Sequence, residues 1–96
     1  MKMNLKEAEQ ELLERIEKLG YTRYVDHQFY TPPMPYKPDG PNVSALTVVF
    51  LKDGEDIVAT GEAWCSAKEQ FHRQKGRVIA TARALKDFER RNIDEP

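Results

Sequence analysis

The sequence predicts an α+β fold in the order α-β-β-β-α, a three-stranded antiparallel sheet with both helices on one face. Three observations predict it. Apolar residues recur at three-to-four spacing near both ends of the chain, the period of a helix resting on a core. Between those ends lie runs rich in aromatic and β-branched residues, the composition of strands. The segment Lys52-Asp53-Gly54-Glu55 joins two such runs as a hairpin turn, with Gly54 supplying positive φ. At 96 residues there is chain enough for one core, so residues 1–96 are read as a single domain.

Each element follows from local chemistry. In 5–19, Leu5, Ala8, Leu12, Leu13, Ile16 and Leu19 form one apolar stripe. Asn4 is placed to cap it, Glu7 follows three residues on, and Gly20 stands where a left-handed C-cap belongs. Glu11 with Arg15 and Glu14 with Lys18 have i,i+4 spacing on the wet face. The sheet is predicted over 21–63. Its first strand is Tyr21 to Tyr30, and a proline-rich loop over 31–41 follows, because proline cannot donate to a strand ladder. That loop reads as a connector whose Met34 and Tyr36 cover a core edge, with a polyproline ligand as the alternative. Ser44 to Leu51 reads as a central strand, apolar on both faces, and Ile57 to Ala63 as its return. A helix over 66–91 closes the chain. Ser66 and Glu69 form its expected capping box, and Ala67, Phe71, Val78, Ala82 and Leu85 its expected core face.

Charge separates along the chain. From Lys68 to Arg91 there are eight Lys/Arg against three acids, a net of +5 in a chain whose total is −1. On the predicted helix, Lys68, His72, Lys75, Arg83, Lys86 and Arg90 share one flank; Arg77, which with Arg83 flanks the ridge Gly76, Ala80 and Ala84, is counted with them as a partner- or phosphate-binding residue. Such a basic rail suits a phosphate backbone, whose condensed counterions are released on binding, or an acidic protein groove. Its bland reading is a solvated helix face. Gly76, Ala80 and Ala84 form a small-residue ridge placed opposite the expected core face. They are read either as ordinary surface helix formers or as the seam of a homodimer.

Other chemistry is sparse. An apolar content of 40% and a charged content of 32% describe a globular chain, not a disordered tail. No run has membrane-span length, and no secretory leader is evident. The single Cys65 suits a reducing cytosol and reads as a buried structural thiol just ahead of the second helix. His27 and His72 lack metal-ligand spacing, so no metal is expected. No nucleophile–base set and no glycine-rich phosphate loop is present. Neither a catalytic residue nor a cofactor is assigned, and the expectation is a protein that is not an enzyme.

Two resemblances extend this reading. The order α-β-β-β-α resembles double-stranded RNA-binding domains. Gly40-Pro41-Asn42-Val43 stands where that family has Gly-Pro-x-His, Ser66-Ala67-Lys68 where it has Ser-Lys-Lys, and Ala82-Arg83-Ala84-Leu85 in the place of its closing helix. Val43 and Ala67 replace residues that touch RNA in that family, so the likeness lies in topology. The pattern Thr60-Gly-Glu-Ala-x-Cys65, then Phe71, Gly76-Arg77 and Ile79-Ala80, is similar to small proteins of tailed phages and prophages. That resemblance implies a phage origin and the cytoplasm of a bacterial host. The leading expectation is therefore a phage-type binding protein that engages a host macromolecule through the basic helix, as a stoichiometric inhibitor of a defence factor. The alternative is a nucleic-acid-binding domain, of RNA or DNA. The third is a sponge for an anionic nucleotide signal.

Overall fold

A computed structural model of the chain describes residues 4–35 and 39–93, and its elements follow in the expected order. Helix α1 is Leu5–Lys18, strand β1 Thr22–Met34, β2 Val43–Asp53, β3 Asp56–Ser66, and helix α2 Arg73–Ile93. The strands form one antiparallel sheet in the order β1-β2-β3. The α+β fold with two helices on one sheet face is present as predicted.

The local signals that set α1 are those of its caps. The Asn4 side chain accepts from the Glu7 backbone N–H at 2.8 Å, which satisfies one of the orphan donors of the first turn. Gly20 takes φ 79° just beyond the helix end, and its N–H donates to the Glu17 carbonyl at 2.9 Å. The hairpin turn also stands, with Gly54 at φ 61°. On the wet side of α1, Arg15 reaches across to Glu89 of α2 at 2.8 Å.

Strand β1 runs further than its composition suggested. Pairing with β2 is regular from Thr22↔Lys52 to Phe29↔Ala45, then shifts register and resumes at Met34↔Val43. The Thr31–Pro32 peptide inside that irregular stretch is cis. The first part of the predicted proline loop thus belongs to the sheet, and Met34 is exposed instead of covering a core edge. Tyr36, and the polyproline reading that needs 36–38, lie outside the described residues.

Alternation along β2 divides the sheet into two faces. Val43, Ala45, Thr47, Val49 and Leu51 are buried beneath the helices. Leu46, Val48 and Phe50 point to the outer face, beside the exposed Tyr24 of β1. The core joins Ile16 of α1 to Val49, Leu51, Ala59 and Ala63 of the sheet and to Ala80, Ala84 and Leu85 of α2. Each large aliphatic side chain buried there contributes about 1.5–3 kcal/mol. Tyr21 and Phe88 close one end with an edge-to-face contact, centroids 5.3 Å apart.

Helix α2 departs from expectation in two ways. It begins at Arg73, not Ser66, because β3 continues through Ser66. The Ser66 hydroxyl accepts from the Lys68 N–H at 3.1 Å, and its carbonyl from the Glu69 N–H at 3.0 Å, so Ser66 and Glu69 make a turn and not a capping box. Capping falls to His72, whose Nδ1 accepts from the Lys75 N–H at 3.2 Å.

The second departure is the face that α2 buries. Ala80 and Ala84 are wholly buried, while Ala67 and Ala82 are exposed. Of the five expected core residues, Leu85 is in the core cluster. The small-residue ridge Gly76, Ala80, Ala84 is thus the surface that meets the sheet, and the seam proposed for a homodimer is occupied by the chain's own β3 and β2. A Cβ on Gly61 of β3 would overlap the Ala80 carbonyl oxygen and the Ala84 backbone nitrogen. A Cβ on Gly76 would stand 2.6 Å from Thr47 Oγ1. At Gly61 the strand meets the backbone of α2 directly, and at Gly76 the Thr47 side chain takes the space a Cβ would need.

Candidate functional site on helix α2

The shift in helix phase re-sorts the predicted rail. Lys75, Lys86 and Arg90 remain together on the exposed side of α2. Arg83 lies on one shoulder, where it donates to the Glu62 carbonyl at 2.8 Å and sits 5.9 Å from the centre of the Trp64 ring. Lys68 is exposed but belongs to the turn after β3, and His72 is the helix cap. Neither continues the stripe along the helix.

Arg77 leaves the rail altogether. Its Nε donates to Glu9 Oε2 at 2.8 Å and its Nη2 to Oε1 at 3.2 Å. Arg23 of β1 donates to the same Oε2 at 2.9 Å and to the buried Thr81 hydroxyl at 3.2 Å. Glu9, Arg23 and Arg77 therefore tie α1, β1 and α2 into one network. The Arg77 hydrogen bond holds the Glu9 carboxyl down at about 2; burial opposes this, and Arg23 adds to the lowering. Hydrogen bonding to Glu9 raises Arg77 in turn. Composition could not flag this cluster, because Glu9 looks like one more charge on a wet helix.

Two further side chains of α2 work on the sheet edge. The Thr60 N–H of β3 donates to Asp87 Oδ2 at 3.1 Å, and Arg83 takes the Glu62 carbonyl. Strand β3 is an edge strand, so these contacts occupy backbone groups that could otherwise recruit a foreign strand. Asp87 also pairs with Arg91 at 3.1 Å.

The beginning of α2 holds a pocket that the sequence did not reveal. Its volume is about 510 Å³, and its walls come from β3, the 67–72 segment and the first turns of α2. Trp64, Phe71 and Ile79 give it apolar walls; Glu69, Gln70, His72 and Lys75 give it polar ones. Phe71 is itself held edge-on by Phe29 and His27, centroids 5.0 and 5.6 Å away. His27 Nδ1 lies 2.9 Å from Thr47 Oγ1. Burial first, then the charges of Arg73 and Arg77, push the His27 imidazole below its ordinary value, against the opposing pull of Asp26. Cys65 is buried in β3, with its Sγ 3.6 Å from the Ser66 and Glu69 carbonyl oxygens. It lies in β3, well before the first turn of α2, as a buried thiol.

Among the described residues, no group of three or more His, Cys, Asp or Glu is placed to hold a metal ion, and no helix is long and apolar enough to cross a membrane. Comparison of the chain with protein-family models, with curated proteins and with solved structures finds no match. The likeness to double-stranded RNA-binding domains thus stands at element order. Gly61, Gly76, Arg77 and Ala80 all lie where α2 meets the rest of the fold.

Proposed function

We propose that this chain is a non-enzymatic binding protein whose helix α2 engages the phosphate backbone of a nucleic acid. The observation that carries the reading is the exposed stripe Lys75, Lys86 and Arg90, with Arg83 beside it, on a helix whose opposite side is locked to the sheet. Lysine and arginine heads on a rigid rod can track successive phosphates, and release of condensed counterions supplies the affinity. The outer side of α1 carries Glu7, Glu11 and Glu14 and would repel the same backbone, so contact is confined to the α2 side.

The test is fluorescence polarisation of labelled single- and double-stranded 20-mers across a salt series. The wild type should show a steep log-log salt dependence. Combined Lys75→Glu, Lys86→Glu and Arg90→Glu changes should remove binding and leave the thermal melt nearly intact. A triple variant that binds as the wild type does would remove the stripe from the mechanism.

A second reading is an inhibitor that docks on a host protein, in keeping with the phage-like residues. The outer sheet face supports it, because Tyr24 is 58% exposed beside Phe50, Val48 and Leu46. Tyr24→Asp would then abolish capture of one specific host protein while nucleic-acid binding is unchanged.

A further inference from the structure

We infer that the pocket at the beginning of α2 receives one nucleobase together with its phosphate, as a free nucleotide or as an unstacked nucleotide of a single strand. This rests on the reading of α2 as a phosphate-binding helix and adds to it the part of the ligand that the stripe cannot hold. The pocket's volume of about 510 Å³ falls within the ~300–1,000 Å³ of small-molecule sites. Its walls are asymmetric in the way a nucleotide is. Trp64 and Phe71 supply aromatic surface, on which any base can stack for about 1–3 kcal/mol. Gln70 and Glu69 supply a donor and acceptors for a base edge. Lys75 and His72 supply the cationic and donor end.

The His72 geometry favours this use. Its Nδ1 accepts the Lys75 backbone N–H at 3.2 Å. The neutral ring that caps the helix therefore carries its proton on Nε2, which is the nitrogen left to donate to an anion. Glu69 sets the polarity, because its carboxylate repels phosphate and directs the anionic end toward Lys75 and His72. Lys75 also begins the exposed stripe, so a strand whose base enters the pocket would present its next phosphates to the stripe. A duplex keeps its bases stacked and cannot fill the pocket without extruding one.

Trp64 is the sole tryptophan of the chain, so its emission reports on the pocket wall. The experiment titrates the full chain with the four ribonucleoside 5′-monophosphates, a single-stranded 12-mer, the matching duplex, unphosphorylated nucleosides and inorganic phosphate. Polarisation of the labelled 12-mer is followed in parallel. Saturable quenching of Trp64 by the 12-mer or by the monophosphates is expected, with at least fivefold weaker responses to nucleosides, to inorganic phosphate and to the duplex. Lys75→Gln should weaken the monophosphate response at least fivefold and leave the melt unchanged. A monophosphate that binds as tightly as the 12-mer identifies a free nucleotide as the source; a 12-mer at least tenfold tighter identifies a strand. Binding of the 12-mer by polarisation with unaltered Trp64 emission overturns the pocket and spares the stripe. Absence of polarisation binding together with quenching by monophosphates spares the pocket and overturns the stripe. Absence of both overturns the two together.

Discussion

Glu9 and Arg77 stand 68 residues apart in sequence and meet through two hydrogen bonds, at 2.8 and 3.2 Å. This pair fixes α1 to α2 by a planar, bidentate contact, the geometry in which a guanidinium binds a carboxylate best. Because Arg23 shares Oε2, the carboxylate is the hinge pin of three elements.

The first prediction concerns acid. The Glu9 carboxyl is lowered from 4.5 in the unfolded chain to about 2 in the fold. As pH falls, the unfolded chain takes up this proton first. The stabilisation is therefore complete above about 4.5 and is lost between there and about 2. A shift of that size corresponds to about 3 kcal/mol at neutral pH. Glu9→Gln should lose about that much in urea melts at pH 7, and the gap to wild type should close toward pH 2. His27 works in a higher window. Its folded value is lowered, so its share is complete above the ordinary 6.5 and drains as pH falls through the folded value. His27→Gln should flatten the wild type's loss of stability below 6.5. A Glu9→Gln gap that is independent of pH would contradict the pairing.

The second prediction separates two glycines. Gly61→Ala drives a methyl into the α2 backbone, which cannot move aside, and should cost about 3 kcal/mol or more. Gly76→Ala meets the buried Thr47 hydroxyl at 2.6 Å, which must give up its contact with His27 to move, and gains about 1 kcal/mol of helix propensity. Its net cost should be lower than that of Gly61→Ala, and Thr47→Ala in the same chain should turn it into a gain relative to Thr47→Ala alone. Thermal melts of the four variants decide this. Equal losses for Gly61→Ala and Gly76→Ala would show that β3 and α2 do not touch as described.

The third prediction replaces the homodimer seam. Ala80→Leu should unfold the monomer or loosen it by more than about 3 kcal/mol, whatever the oligomeric state, because position 80 is wholly buried against Gly61. Ala82→Leu, on the exposed side two residues away, should be tolerated. Circular dichroism melts at two concentrations separate these outcomes from dissociation.

The fourth prediction divides the arginines and lysines of α2 by role. Arg77→Ala should cost about 2–3 kcal/mol of stability, because it leaves Glu9 with one fewer partner in a mostly buried site. Lys86→Glu should leave the urea midpoint within about 0.5 kcal/mol and weaken binding of an anionic probe. The opposite pattern would return Arg77 to the binding face and withdraw Lys86 from it.

Element order, the caps of α1, the Gly54 turn and the existence of β2 were legible because each depends on residues close in sequence. The phase of α2 was not. Val78 and Leu85 suggest one buried face, and Ala80 with Ala84 looks like surface, until Gly61 is known to lie opposite. That information is long-range: a glycine in a strand does not announce which helix will press on it. The start of α2 was missed for a related reason. Ser66 and Glu69 fit a capping pattern, but pairing of Val43 with Ser66 keeps that residue in the sheet. Lys75, Lys86 and Arg90 survive as an exposed stripe because solvent-facing charge is a local property, whereas Arg77 was claimed by a carboxylate 68 positions away.

The contact between Gly61 and Ala80 divides α2 into two scripts that can be edited separately. The inner script admits glycine and alanine at its centre and tolerates almost no rewriting. The outer script, from Lys75 through Ala82 and Lys86 to Arg90, bears on nothing that holds the chain together. A library randomised at those outer positions should therefore fold as a population, and the chain can serve as a rigid carrier on which new recognition is selected without relearning how to fold.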